Sequence, residues 1–372
     1  MKKMKYPAGA QYKQNYIKIF QAEHRKMQAM WTHFKGTYTE LAAYPIDVKD
    51  FLTADFHQLT EWYIDFMRIS KDKRKEINNK LKDNLFNYDE WSSKIAKYFK
   101  DPENGFNLIS CIYCDMAYVN AYEVNLDIDA IFFLNNASDD DLMIKLRTTS
   151  EDALDAIHKA RKFKTRADFD RVCTSLKWQS DKYDKIFIKP YNKYKHHFDL
   201  DHVLPKSKCA LIALSLYNLV PCCQVCNQRL KKSEVLGTMG KPYEKLSPTS
   251  PEFDFEGQVS FHVIPKRGVR VGSLRQLTRQ EDYELQLISI DPDYDLLIKI
   301  FRLQERYAHH KKKALHWIEM NYKYTDSRIA MMANALDDPS FSFKRIKSDI
   351  FQNELYESES MCFSKLREDM LK

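Results

Sequence analysis

The sequence predicts an α+β protein that is mainly α-helical. Three observations carry this expectation. A chain of 372 residues holds only 8 glycines and 12 prolines, so it has few built-in breaks. Apolar residues recur at three- and four-residue spacing through the first hundred positions. Alternating, β-branched patterning is confined to short stretches. Hydrophobic content of 44% beside 30% charged residues is that of an ordinary folded chain, and the length allows two or three packed units.

Taken in order, YIKIFQAEHRKMQAMW and FHQLTEWYIDFMRI show helical apolar spacing within residues 11–100. DEWSSKIAKYFKDPENG reads as a helix ending at Lys100 or Asp101, because Pro102 and Gly105 both break it. A helical N-terminal region over 1–105 follows. DDDLMIKL, EDALDAIHKARKF and ADFDRVCTSL read as three helices inside an insertion at about 121–195. Asp139, Asp140 and Asp141 belong at a helix N-terminus, where the dipole favours negative charge. The central region spans 106–240.

In the C-terminal region, 241–372, QVSFHVIPKRGVRV at 258–271 predicts a short hairpin, and YELQLISI at 283–290 a further strand. One long helix is expected after Asp291, with Leu296, Ile300, Leu303, Tyr307, Ala314 and Ile318 on one face. SRIAMMANAL, FKRIKSDIF and SKLREDML follow as shorter helices.

The start, MKKMKYPAGAQYKQNY, is basic with no apolar run behind it, which argues against a secretory signal. No stretch approaches the length of a membrane span. A cytoplasmic protein without membrane contact is expected, and its 8 cysteines are then not a disulfide framework. The net charge of +7 hints at a polyanionic partner.

Cysteine spacing is the informative property. CIYC at 111–114 and CQVC at 223–226 are two Cys-x-x-Cys pairs, and four thiolates make a closed tetrahedral zinc site. Cys222 adjoins the second pair, but the spacing to Cys226 selects Cys223, so the expected ligands are Cys111, Cys114, Cys223 and Cys226. Cys173, Cys209 and Cys362 have no partner at ligand spacing and read as buried hydrophobes.

Between these pairs FDLDHVLPKS places Asp201 directly before His202, and LYNLVP carries Asn218. CQVCNQRLKKS then places Asn227 straight after the last cysteine. The order Asp-His, Asn, Cys-x-x-Cys-Asn with basic residues behind resembles the HNH (ββα-metal) nuclease family with a four-cysteine zinc site. The likeness covers about 108–118 and 196–234. It implies a small ββα-metal core with a four-cysteine zinc knuckle, embedded between helical N- and C-terminal regions and interrupted by the helical insertion. Compact members of the family have a much shorter link than the residues 115–200 that separate Cys114 from Asp201 here.

The resemblance further implies His202 as general base and Asn218 as the residue holding that histidine and its loop. Asp201 and Asn227 would be the ligands of a catalytic ion. Chemistry agrees: imidazole titrates near cellular pH, and carboxylate and amide oxygens are hard donors suited to Mg²⁺ or Mn²⁺. Asp199, two residues before Asp201, is placed either to assist the metal or to orient a neighbour. In a regular strand Asp201 and His202 point to opposite faces, so one shared site requires the strand to twist or to end, and Pro205 favours an ending.

Within 198–232 the only acidic residues are Asp199 and Asp201, against Lys206, Lys208, Arg229, Lys231 and Lys232. That asymmetry suits a phosphate backbone. Lys266, Arg267, Arg270, Arg275 and Arg279 form a second basic segment. His196 and His197 are expected to face solvent or substrate, and His309 and His310 to lie on a solvated helix face. The leading expectation is a DNA endonuclease with structural zinc and catalytic Mg²⁺ or Mn²⁺, RNA being the other substrate class. HNH proteins with large helical additions resemble effectors of bacterial anti-phage defence, which implies an ATPase or similar partner protein, and a homodimer would permit double-strand cuts. The competing classes are a non-catalytic zinc-stabilised nucleic-acid-binding or scaffold protein, and a thiol oxidoreductase using Cys111 and Cys114. No thioredoxin-like βαβ pattern surrounds the latter pair.

Overall fold

The computed structural model describes residues 1–123, 129–179, 186, 194–237, 243–277, 279–336, 338–351 and 362–371. It is mainly helical, with three two-stranded sheets among the described residues. The chain divides into two compact units: residues 1–121 with 196–372, and residues 122–195. The expected boundaries near 105 and 240 fall inside the first unit.

Six helices build the N-terminal part: α1 Gln11–Lys18, α2 His24–Thr37, α3 Val48–Thr53, α4 Phe56–Arg68, α5 Lys71–Asn84 and α6 Tyr88–Lys100. Local chemistry sets their ends. Asp47, Asp55 and Asn87 accept backbone N–H groups as N-caps of α3, α4 and α6. α6 stops where expected, with Asp101 as C-cap and Gly105 in the left-handed region at φ 73°. Their buried faces meet through aromatics: Trp31 packs edge-on against Phe51 at 5.1 Å, and Phe51 against Phe86 at 5.6 Å.

The second unit contains α7 Ala130–Asn136, α8 Asp139–Leu146, α9 Glu151–Ala160 and α10 Arg166–Ser175. Its core joins Leu134, Leu146, Ile157, Phe163 and Phe169. Asp139, Asp140 and Asp141 do form the first turn of α8, behind the Ser138 N-cap. Strands β1 Ala121–Glu123 and β2 Tyr194–His196 pair where the chain passes from one unit to the other and back.

β3 Asp199–His202 and β4 Leu219–Cys222 form an antiparallel pair, in register from Asp199 opposite Cys222 to His202 opposite Leu219. Helix α11 follows, Val225–Lys231, wound as a π-helix. The segment is therefore ββα in order. The long loop 203–218 between its strands is tied to the N-terminal helices. Asn78 of α5 accepts from Ala210 N at 2.7 Å and donates to Ser207 O at 3.1 Å, and Tyr16 of α1 donates to Leu214 O at 2.8 Å.

The C-terminal region adds the short helices α12 Tyr243–Leu246 and α13 Phe255–Gln258, then strands β5 Val259–Pro265 and β6 Tyr283–Ser289. Two expectations are corrected here. The partner of β5 is β6, paired from Val259–Ser289 to Pro265–Tyr283, not a second strand within 258–271; the turn at Gly268, φ 90°, opens a long connection instead. The single long helix is three: α14 Asp295–Ile300, α15 Leu303–Ala308 and α16 Lys311–Lys323. It breaks where Arg302 takes a left-handed φ of 49°, and the residue buried in α14 is Leu297 rather than Leu296 or Ile300. α17 Asp326–Leu336, α18 Phe343–Phe351 and α19 Ser364–Leu371 complete the described chain. Among the described residues no helix is long and apolar enough to cross a membrane.

Candidate functional site

Cys111 and Cys114 sit in a tight turn closed by Asp115 N bonding Cys111 O at 2.8 Å, with Cys111 N bonding Ala117 O at 2.8 Å. Cys223 follows the end of β4, and Cys226 lies in the first turn of α11, so a strand-to-helix corner supplies the second pair. All four are buried, and their sulfurs lie within 4.8 Å of one another. Four sulfurs at about 2.3 Å from a central zinc stand about 3.8 Å apart; Cys114 and Cys223 Sγ are 3.9 Å apart. The cluster can hold a metal ion, and its donor set and spacing fit zinc.

The protein's own groups already balance part of the sulfur charge. Cys223 N donates to Cys111 Sγ at 3.3 Å, and Arg306 Nη1 of α15 donates to Cys226 Sγ at 3.3 Å. Hydrogen bonding within the cluster pulls the Cys114 and Cys223 thiols down, while the Cys111 and Cys226 thiols are pushed up, so without an ion the four share their protons instead of all being thiolates. Cys222 is buried outside the cluster, as are Cys173, Cys209 and Cys362.

His202 ends β3 with only 8% of its surface exposed. Its Nε2 lies 2.8 Å from Ala213 O. A carbonyl only accepts, so Nε2 carries the proton and the Nδ1 lone pair is left available. The ring packs edge-on against Tyr88 of α6, 4.5 Å between centroids. Desolvation pushes the imidazole down to about 3.

Asn218 is fully buried and braces the loop behind the histidine. Its Oδ1 accepts from Leu204 N at 2.8 Å, and its Nδ2 donates to Leu204 O and Ile212 O, both at 3.0 Å. Its own carbonyl accepts from Val203 N at 3.0 Å. Asn218→Ala would strand three buried backbone groups and should destabilise the protein by about 3 kcal/mol or more, read as a lower urea midpoint at unchanged slope. A shift near zero would mean that water replaces the amide.

Asp201 is buried and fully engaged. Lys231 Nζ lies 3.1 Å from its Oδ1 and 3.0 Å from its Oδ2, and Tyr113 donates to Oδ2 at 2.5 Å. Desolvation raises its pKa, against the pull of Lys231 and Tyr113. Asn227 Nδ2 donates to Asp199 Oδ2 at 3.0 Å, and Gln228 Nε2 donates to the same oxygen at 2.8 Å. So Asp199 orients Asn227, while Asp201 and Asn227 share no hydrogen bond. Among the described residues the four cysteines are the only cluster of His, Cys, Asp and Glu side chains placed to hold a metal ion, and the Asp201 carboxylate is taken up by the buried Lys231 ammonium.

Lys231 is a correction. Expected on a phosphate-facing surface, it is completely buried, and it also donates to His202 O at 2.9 Å. A π-wound helix turns this side chain inward against the carboxylate. Lys208, Arg229 and Lys232 are exposed. Lys206 is half-buried, paired with Asp89 at 3.0 Å and stacked over the Tyr88 ring at 4.1 Å. In the second basic segment Lys266 pairs with Glu284 and Arg279 with Glu281, and the side chain of Arg275 lies outside the described residues. His197 is exposed, whereas His196 is half-buried with Nδ1 2.7 Å from Phe198 O. His309 is exposed, but His310 packs on Phe363 at 4.6 Å instead of lying free in solvent.

Sequence reasoning missed Tyr113, Tyr88 and Arg306. Tyr113 stands between two expected ligands, a position that marks it; nothing local marks Tyr88 or Arg306. Comparison with protein-family models, with curated proteins and with solved structures finds no match to this chain.

Proposed function

We propose that this chain is a metal-dependent endonuclease of the HNH type that hydrolyses phosphodiester bonds in DNA. The observation that carries the reading is the state of His202: an imidazole held in one tautomer by a backbone carbonyl, on a loop braced by Asn218, with Nδ1 left as base. His202 takes the proton of the attacking water through Nδ1 while Ala213 O stabilises the charged ring through the Nε2 proton. A phosphodiester brings negative charge and raises the imidazole pKa from its low resting value, which strengthens the base at the moment of use. Asp201, Asn227 and Asp199 would hold a Mg²⁺ or Mn²⁺ ion, which when bound supplies positive charge to the phosphorane-like transition state.

Two further roles follow on this reading. Zinc in the four-cysteine cluster holds the corner on which Asn227 sits. Lys208, Arg229 and Lys232 meet the phosphate backbone. Replacing these three by alanine should weaken binding to duplex DNA across sequences and flatten the log–log salt dependence by about one unit per lost contact. Fluorescence anisotropy at several salt concentrations measures this, and an unchanged slope would place the DNA elsewhere.

The test of the activity is plasmid cleavage with Mg²⁺ and Mn²⁺, parent against His202→Ala, repeated on single-stranded DNA, duplex DNA and RNA. Equal cutting by both would remove His202 from the mechanism. A second reading is a non-catalytic, zinc-stabilised nucleic-acid-binding or scaffold protein. The observation favouring it is the engagement of both Asp201 oxygens by Lys231 and Tyr113. It expects DNA binding without cleavage under every metal condition.

A further inference from the structure

We infer that the turn between α9 and α10 in the second unit, with Phe132 of α7 beside it, is a binding surface for single-stranded nucleic acid. No residue of the His202 site takes part, so this surface does not depend on the nuclease reading. Between Ala156 and Ala167 the chain carries Lys159, Arg161, Lys162, Lys164 and Arg166 and no acidic residue. Lys159, Lys162 and Lys164 are exposed. Carboxylates that flank the turn are engaged by other groups: Asp139 pairs with His158 at 2.6 Å, Asp168 with Arg171 at 3.2 Å and Asp170 with Arg166 at 3.7 Å. Among the described residues no carboxylate, Asp155 one turn before Lys159 included, pairs with the three lysines.

The turn is pinned from both sides. Asn135 of α7 accepts from Lys162 N and Phe163 N, both at 2.9 Å, and donates to Phe163 O at 3.0 Å. Asp168 accepts from Lys164 N and Thr165 N, both at 2.9 Å. These bonds hold Lys162 at φ 104°, a backbone state that glycine takes freely and lysine does not. Phe163 is turned into the core, so the exposed ring comes from α7. Phe132 is 66% exposed and stands one turn before Asn135; residues three apart share a helix face, so the ring borders the lysine turn.

Charge and ring together select the partner. Lysines without counterions bind phosphates and release condensed cations, and an exposed aromatic face stacks an unpaired base, a gain of about five-fold or more per base. Duplex DNA keeps its bases stacked inside and leaves the ring nothing to cover. An anionic bilayer would draw the lysines too, but a lone ring is a weak membrane anchor.

The test is fluorescence anisotropy of a labelled oligothymidylate with the full-length protein, at several salt concentrations and without added divalent metal. Replacing Lys159, Lys162 and Lys164 together by alanine should weaken binding and lower the log–log salt slope by about 0.7 per contact, roughly two units in all. Phe132→Ala should weaken binding by about five-fold or more at unchanged salt slope, because stacking releases no counterions, and Phe132→Trp should bind like the parent. All four positions are exposed, so melting temperatures should stay at the parent's value.

No binding by the parent, an unchanged slope in the triple variant, or equal binding by Phe132→Ala and the parent would overturn the assignment. So would variants that lose binding to phosphatidylserine vesicles and keep it to the oligonucleotide. Cleavage of duplex DNA, with single-strand binding untouched by these substitutions, defeats this inference alone. Single-strand binding that depends on them, with no cleavage under any metal condition, defeats the nuclease reading and leaves this surface standing.

Discussion

Stripping the metal from the four-cysteine cluster, or replacing Cys226 by serine, is expected to unfold the ββα segment and much of what packs on it. The reasoning is one of magnitude. A structural zinc bound by four ligands contributes on the order of 10–16 kcal/mol in small zinc domains, comparable to or above the whole folding stability of an ordinary domain, about 5–15 kcal/mol. Here four buried sulfurs crowd within 4.8 Å of one another, and without an ion that crowding brings thiols together with no benefit. Arg306 and the Cys223 amide then face sulfur groups that no longer hold charge. We expect one zinc per chain by elemental analysis. Cys226→Ser should lose nearly all of it, and the melting temperature should fall by more than about 10 °C. A Cys226→Ser protein with parental melting temperature would show that the cluster is not a structural metal site.

The second large effect is on cleavage. On the proposed nuclease reading, His202→Ala should lower the rate of phosphodiester hydrolysis by about 10²–10⁴-fold, the usual contribution of a general base, with little change in DNA affinity. The same residue makes a pH prediction that is independent of activity. Burial holds the folded imidazole at about 3, against about 6.5 in an unfolded chain. Between those values the unfolded state binds more protons, so stability rises with pH. The contribution is complete above about 6.5 and is lost progressively as pH falls from there towards about 3. Between about pH 7 and pH 5, urea midpoints should therefore drop more for the parent than for His202→Ala. Equal drops would mean that the imidazole is not held neutral in the folded protein.

How much of the fold and site is legible in the sequence depends on the range of the cause. Helix α4 and the stop of α6 at Asp101 are local events, written in a few adjacent residues, and they appear where the pattern puts them, whereas the first helical stretch divides between Lys18 and His24. The cysteine cluster is long-range but chemically self-declaring, because four thiols at that spacing have one ordinary use. The hairpin pairs differently because Arg267 and Gly268 look like a tight turn, whereas β5 waits for a strand beginning at Tyr283. The long helix divides without warning because apolar periodicity continues across Arg302, with no glycine or proline to mark the break. Lys231 is illegible for another reason: a lysine in a basic run reads as exposed, and its burial follows from a π-wound helix closing on Asp201.

The loop 203–218 has a consequence for how the molecule can be divided. Its anchors are Asn78 on α5 and Tyr16 on α1, and the ring covering His202 belongs to Tyr88 at the start of α6. Residues 106–240 are thus not a cassette. Excised on their own, or grafted into another scaffold, they would leave behind one wall of the histidine pocket and the pins of its loop. The helical N-terminal segment and the motif it houses therefore have to be moved as one piece, whereas the stretch 122–195 is compact by itself.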